Sequence, residues 1–252
     1  MMKITFEDIY TIGHVIAENE LYRHIHYPEM LTRYDSNFIA FKRMPSLDAF
    51  VETVGFLRDF HLRNGQKHVK FYFPENEKLG TTLVDYLKKH NYETGFLELY
   101  AINPRDFPTL EINPDIVVQS VTEDTMKGYI DLQYKIDLQF GENFAKQKVD
   151  LNKKHFKDPA ILQVIAFYKG EPAGCLDVII TADTVEIDGL EVLEMFRNKG
   201  IGSRLQRFVM ERFPDKRVIL VADGEDTPRE MYQKQNYQFL GFQYEVQKIY
   251  ND

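Results

Sequence analysis

Near the middle of the chain the segment Asn103-Pro104-Arg105-Asp106-Phe107-Pro108-Thr109-Leu110-Glu111-Ile112-Asn113-Pro114-Asp115 carries three prolines in thirteen residues. Each proline removes a backbone donor and turns its predecessor away from helical angles, so neither a helix nor an interior strand runs through it. The segment divides the 252 residues into two halves that must each build a core. Two is also the domain count expected at roughly 100–200 residues per domain. The expected division is a first domain at 1–105, a linker at 106–115 and a second domain at 116–252.

Nineteen Phe and fifteen Tyr supply enough apolar surface for two cores, which excludes wholesale disorder. No apolar run reaches the roughly 20 residues of a membrane span. The opening residues turn acidic at Glu7-Asp8 without an apolar signal core, as expected of a cytoplasmic protein. Cys175 is the single cysteine, so an intramolecular disulfide and a cysteine-built zinc site are both excluded. The net charge of −8 repels nucleic acid and anionic membranes, leaving neither as an expected partner. That charge is uneven: residues 1–105 sum to −1 (13 basic, 14 acidic) and residues 106–252 to −7 (18 basic, 25 acidic).

The second half reads as α/β (α+β). Ile116–Val121 is a short strand, and Thr122-Glu123-Asp124 opens a helical stretch that runs to about Phe156 with a break at Gly141. Three strands joined by short turns follow at Leu162–Tyr168, Gly174–Ile180 and Thr184–Leu193. A helix from Gly200 to about Phe213 leads to a buried strand at Arg217–Ala222. Thr227-Pro228-Arg229-Glu230 then has the N-cap, proline and glutamate of a helix start. Each half ends on the same punctuation, a helix closing at Asn-Tyr (Asn91-Tyr92 and Asn236-Tyr237) before a strand. Asparagine tolerates the left-handed residue past a helix end, and the recurrence after 145 residues suggests a duplicated domain.

The chemistry concentrates in Leu190-Glu191-Val192-Leu193-Glu194-Met195-Phe196-Arg197-Asn198-Lys199-Gly200-Ile201-Gly202-Ser203-Arg204-Leu205, where a strand gives way to a helix. Glycines in such a turn let the backbone approach a ligand, and the free N–H groups and dipole of the helix start favour an anion. The pattern is neither G-x-x-x-x-G-K-[ST] nor G-x-G-x-x-G, so it is a phosphate cradle of another kind.

In this context the chain resembles the GCN5-related N-acetyltransferase superfamily. The resemblance is carried by the strand Val185–Val192, by Arg197-Asn198-Lys199-Gly200-Ile201-Gly202 against the family's Arg/Gln-x-x-Gly-x-Gly/Ala signature, by the strand Val218–Val221, and by the helix end Met231–Tyr237. It covers roughly residues 115–250. Two departures stand out: Asn236-Tyr237 replaces the usual Gly-Phe, and Glu225-Asp226 occupies the region where many relatives place a cofactor-facing Asn.

The resemblance implies two domains of this type, each a mixed, mostly antiparallel sheet flanked by helices. It implies acetyl-CoA as co-substrate, no metal, and transfer of an acetyl group to a small-molecule or peptide amine by direct attack in a ternary complex. Backbone at Val192 and Leu193 would hold the pantetheine arm, with a main-chain N–H stabilising the oxyanion. Arg197, Asn198, Lys199, Gly200, Ile201, Gly202 and Ser203 would hold the pyrophosphate. Tyr232 would protonate the departing thiolate, and Glu186 would act as general base, with Glu191, at the other strand parity, or water as alternatives. A non-catalytic CoA-binding regulatory module, or transfer of a different acyl group, stays open, as does a monomer or a homodimer.

In the first half, Lys67–Phe73, a helix around Leu79–Lys89 and the strand ending at Ile102 follow the closing order of the same fold. The stretch Phe73-Pro74-Glu75-Asn76-Glu77-Lys78-Leu79-Gly80 lacks the signature glycines, so this half is expected to be a degenerate copy. His24-Ile25-His26 puts two rings on one strand face, but no third ligand stands at metal-binding spacing. Flanked by Glu20, Tyr22 and Arg23, these histidines are expected on a solvated surface.

Overall fold

The structure, a computed structural model, describes residues 3–111, 113–224 and 228–250. Glu225-Asp226 and the expected N-cap Thr227 lie outside the described residues. The first seven regular elements are β1 (His14–Glu18), β2 (Tyr22–His26), β3 (Phe38–Phe41), α1 (Leu47–Arg63), β4 (His68–Tyr72), α2 (Thr81–Lys89) and β5 (Glu93–Ile102). Then come β6 (Ile116–Ser120), α3 (Glu123–Asp137), α4 (Glu142–His155), β7 (Ile161–Tyr168), β8 (Glu171–Ile180) and β9 (Thr184–Val192). The chain closes with α5 (Ile201–Arg212), β10 (Arg217–Asp223), α6 (Pro228–Lys234) and β11 (Gln238–Ile249).

Two compact units result. One takes the chain up to Leu99 with Ala222–Arg229 and the stretch from Leu240 onward; the other holds Tyr100–Val221 and Glu230–Phe239. Both carry a mixed, mostly antiparallel sheet flanked by helices. The units are not the two linear halves. β11 pairs with β4 through Glu245↔Tyr72 to Ile249↔His68, and Val246 is buried in the core of Phe41, Phe50, Phe71 and Phe73. The end of the chain therefore completes the first sheet, in the order β1-β2-β3-β4-β11-β5.

The histidines of β2 are a correction. His24 is fully buried and His26 nearly so, with Phe60 edge-on to both at 4.7 and 5.0 Å between ring centroids. His61 and His68 join them in the same interior, their rings 4.5 Å apart. The polar neighbours Glu20 and Arg23 misled because strand parity sends alternate side chains to opposite faces, and α1 covers the face that His24 shares. Burial lowers the pKa of His24 and His61 to about 4 and that of His68 to about 3, with the neighbouring histidines adding to it.

In the second unit the order is β10-β9-β8-β7-β6. Gly141, at φ +100, separates α3 from α4 where the break was expected. One face of the sheet packs Cys175 and Ile165 against Tyr129 and Leu132 of α3. The other receives α5, whose Leu205 and Val209 are fully buried. Asn91 and Asn236 both adopt the left-handed conformation expected of them, at φ 54 and 66.

Candidate functional site

The site is built where β9 and β10 part. Their parallel ladder has four pairs, from Arg217↔Thr184 to Leu220↔Ile187, although β9 continues five residues further to Val192. The cause lies in β9 itself. Between the pairs Asp177↔Asp188 and Cys175↔Glu191, β8 advances two residues while β9 advances three. The extra residue is a β-bulge, and Gly189 at φ +59 supplies the left-handed conformation it needs. A bulge bends its strand, which carries β9 away from β10. A glycine inside the strand pattern was the available signal, and it went unread.

The bulge reverses side-chain parity. Glu186, Asp188 and Glu191 stand opposite Ile179, Asp177 and Cys175, all odd-numbered on β8, so the three acids share one face of the sheet. That corrects the expectation that Glu186 and Glu191 differ in face. Glu186, only 6% exposed, pairs with Ile219 one step before the ladder ends. On the same face Tyr129 donates to Asp177 Oδ1 at 2.5 Å, and His155 Nδ1 lies 3.2 Å from Asp177 Oδ2. Gln133 donates to Tyr129 Oη and to Cys175 Sγ, each at 3.3 Å. These bonds tie α3 and α4 to the residues of β8 that oppose the bulge. Burial, reinforced by Asp177, pushes both the Tyr129 phenol and the Cys175 thiol well above their usual pKa values. Cys175 is therefore a thiol, not a nucleophilic thiolate.

Main-chain donors along β9 alternate in direction. Leu193 N–H donates to Ala173 O at 2.9 Å, so it is spent on β8 and unavailable to an oxyanion. Val192 N–H, one residue earlier, points to the opposite edge. Of the two residues expected to present a donor, Val192 alone does so.

Arg197 to Ser203 follow within a few residues. Asn198 and Gly200 are left-handed, at φ 60 and 83, and Gly200 precedes α5 without a side-chain cap. The first bond of α5 runs from Arg204 N–H to Gly200 O at 3.0 Å, so the N–H groups of Ile201, Gly202 and Ser203 belong to its unbonded first turn. Arg197 Nε leans back 3.4 Å from Val192 O. A Cβ on Gly202 would meet only Val192 Cγ2, at 3.9 Å, so the fold does not require a glycine there. A close-approaching ligand would. Gly174, by contrast, is structural: a Cβ there would lie 2.7 Å from Glu191 O and 3.3 Å from Ile201 Cγ2, and its absence lets α5 close on β8 and β9.

Tyr232 on α6 is 7% exposed, between Tyr100 and Tyr237 at ring separations of 5.3 and 5.4 Å. Burial raises its phenol to a pKa of about 12. Two bonds that sequence reasoning missed tie the α6 end to α5: Gln235 Nε2 donates to Ser203 Oγ at 3.1 Å, and Tyr237 Oη to Gln206 Oε1 at 2.8 Å. No group of three or more His, Cys, Asp or Glu residues with metal-binding geometry occurs among the described residues.

Comparison with known proteins joins this geometry to a family. The profile of the Acetyltransferase (GNAT) family matches residues 129–237, which hold the bulge, the cradle and α6. Residues 129–237 carry a domain of the Acetyltransferase (GNAT) family. A domain of unknown function, DUF5613, matches residues 4–100. A functionally unknown conserved protein from Staphylococcus epidermidis is 32% identical over 98% of both chains, with a TM-score of 0.90. A GCN5-related N-acetyltransferase from Kribbella flavida shares the fold at 12% identity, covering 94% of this chain and 89% of its own, with a TM-score of 0.60. A tandem GNAT protein from the clavulanic acid biosynthesis pathway does so at 7% identity, covering 84% and 75%, with a TM-score of 0.54. No curated protein matches the chain.

The fold is that of a tandem arrangement, and the first unit fits a degenerate copy. Its topology moves the relevant loop, however. In this unit β3 and β4 are the parallel pair and α1 connects them, as α5 connects β9 and β10. The counterpart of the cradle is thus Lys42-Arg43-Met44-Pro45-Ser46, not the stretch 73–80, which precedes α2. It contains no glycine, Ser46 Oγ already accepts from Ala49 N–H at 3.3 Å, and Asp48 adds a negative charge to the first turn. Each feature opposes phosphate binding.

Proposed function

We propose that the second unit transfers an acetyl group from acetyl-CoA to a small-molecule or peptide amine by direct attack in a ternary complex. The observation that carries this reading is the bulge at Gly189, which parts β9 from β10, aims Val192 N–H at the opened edge and precedes the glycine cradle on the same strand.

The pantetheine arm would lie along the free edge of β9, with the diphosphate over the N–H groups of residues 201–203. The acceptor ammonium gives one proton to solvent or to a carboxylate, Glu186 or Glu191, on the face those acids share. The free amine attacks the thioester carbonyl, and Val192 N–H donates to the oxyanion. The C–S bond then breaks, the new amide loses its second proton to the carboxylate once that has passed the first to solvent, and the thiolate takes one from Tyr232, which solvent reprotonates. A main-chain donor of this kind is worth ~3 kcal/mol in acyl transfer. With a pKa near 12, Tyr232 is fully protonated at neutral pH and holds the proton the thiolate needs.

The tight packing of Tyr232 favours one rival, a CoA-binding module without turnover. Calorimetry with acetyl-CoA, followed by CoA release against a panel of amines, separates the two. Binding with turnover on any amine supports the transferase; tight binding with none supports the regulatory module.

A further inference from the structure

The layer between the second sheet and α3–α4 is polar at its centre. Asp177 stands in the middle of a cross-strand row, with Gln163 on β7 to one side and Asp188 on β9 to the other. Tyr129 of α3 and His155 of α4 close on its two oxygens. Asp177 and His155 are 6% and 5% exposed, so solvent scarcely reaches the pair. Directly opposed side chains stand about 5 Å apart at Cβ, and diagonal neighbours about 7–8 Å. Asp188 therefore faces Asp177 directly, while Glu186 and Glu191, opposite Ile179 and Cys175, lie on its two diagonals. From the helices, α3 adds Asp137 and α4 adds Lys148; both act, with Asp177 and Glu191, on the Cys175 thiol beside the pair. Tyr129 and Cys175 titrate too, but both are held protonated.

His155 is the only histidine of residues 116–252, and histidine is the side chain whose charge changes between pH 5 and 8. Protonated, it cancels the charge of Asp177. Neutral, it leaves that charge whole, in a layer with little water to screen it. Tyr129 donates to Asp177 in either state, so the carboxylate keeps its place and only the charge balance changes. One unit charge at about 7–8 Å, in a medium of intermediate dielectric, changes the binding of a cation about fivefold or more.

We propose that His155, acting through Asp177, sets the charge of the acceptor face and with it the affinity for a cationic amine. The inference rests on the transferase reading above, in which the acceptor ammonium approaches the face that Glu186 and Glu191 share. His155 is then a positioning residue: it touches neither acceptor nor carrier, and its effect reaches them as charge. As pH rises through the histidine range the face gains one negative charge and holds the ammonium more tightly. As pH falls the charge is cancelled and the ammonium is held less tightly.

The test is steady-state kinetics on the full chain at saturating acetyl-CoA, from about pH 5.5 to 8.5, spanning the histidine range. The acceptors are 1,4-diaminobutane and Nα-acetyl-lysine methylamide, both cationic throughout. KM for the amine is expected to fall about fivefold or more as pH rises. His155→Gln keeps a hydrogen-bond donor but takes up no proton, so its KM should stay low at every pH. Tyr129→Phe removes the other donor to Asp177 and leaves His155 in place, so it should keep the slope. Where His155→Gln does not fold, Asp177→Asn replaces it; at the upper end of the range its KM should match that of the unmodified chain at the lower end. A flat KM in the unmodified chain overturns the inference. So does a slope that survives His155→Gln, because another group is then titrating, or one lost equally in Tyr129→Phe, because the role is then structural. Turnover confined to uncharged amines overturns it as well. If acetyl-CoA binds and no amine is turned over, the transferase reading itself falls and takes the role of His155 with it.

Discussion

Glu186 and Glu191 project from the same face of the second sheet although five residues separate them on one strand. An uninterrupted strand would put them on opposite faces. The bulge at Gly189 brings both carboxylates to the side that α3 and α4 cover, where they are alternatives for one role. Glu186→Gln and Glu191→Gln should therefore be compared at saturating acetyl-CoA. The base is the residue whose loss lowers kcat and abolishes the acidic limb of the pH profile. Retention of that limb in both variants would assign the proton to water.

Gly189 itself has open space around it, so a side chain there meets no obstacle and suffers only from φ +59. Gly189→Ala should cost about 1 kcal/mol in urea denaturation, the penalty of a left-handed non-glycine residue. The β-branched Gly189→Val should cost more. A variant as stable as the parent would show that β9 can pass this point without the bulge.

Gly202 separates folding from ligand approach. Gly202→Ala should fold normally, since its Cβ touches only Val192 Cγ2 at 3.9 Å, yet bind CoA more weakly. Gly202→Glu adds bulk and a negative charge to the cradle and should abolish binding. Intact CoA affinity in a folded Gly202→Glu chain removes the cradle from consideration.

Tyr232→Phe should lower kcat by about 10² or more, with acetyl-CoA affinity unchanged. Because burial lifts this phenol to about 12, it stays protonated across the usual assay range, and no loss of activity below about pH 10 should trace to it. An unchanged kcat in the variant excludes the acid role.

The first unit should be sensitive to acid. His24, His61 and His68 have folded pKa values of about 4, 4 and 3, below the ordinary 6.5 of an unfolded chain. Above pH 6.5 both states are neutral and the histidines have no effect. As pH falls from 6.5 toward 4 the unfolded state binds protons that the folded state refuses, so stability drops by about 1.4 kcal/mol per unit for each histidine. Urea titrations at pH 7, 6 and 5 check this; a flat stability would mean that the folded cluster takes up protons as readily as the unfolded chain.

Much of the molecule is local enough to be read from its sequence. The proline-rich segment, the break at Gly141, the left-handed Asn91 and Asn236, the meander of β7, β8 and β9, and the Arg197–Gly202 cradle all depend on residues within a turn or two of one another. A capping side chain, a proline or a glycine acts on its own neighbours, so its effect shows in the string of letters. What the tertiary structure decided is of another kind. That residues 240–250 complete the first sheet depends on which strand β11 meets, and β4 lies some 170 residues earlier in the chain. That Glu191 shares a face with Glu186, and that Leu193 spends its N–H on Ala173, depends on the register between β8 and β9. That His24 is buried depends on α1 covering its face. Partner, register and cover arise from pairing and packing between distant segments, where the free energy belongs to neither segment alone.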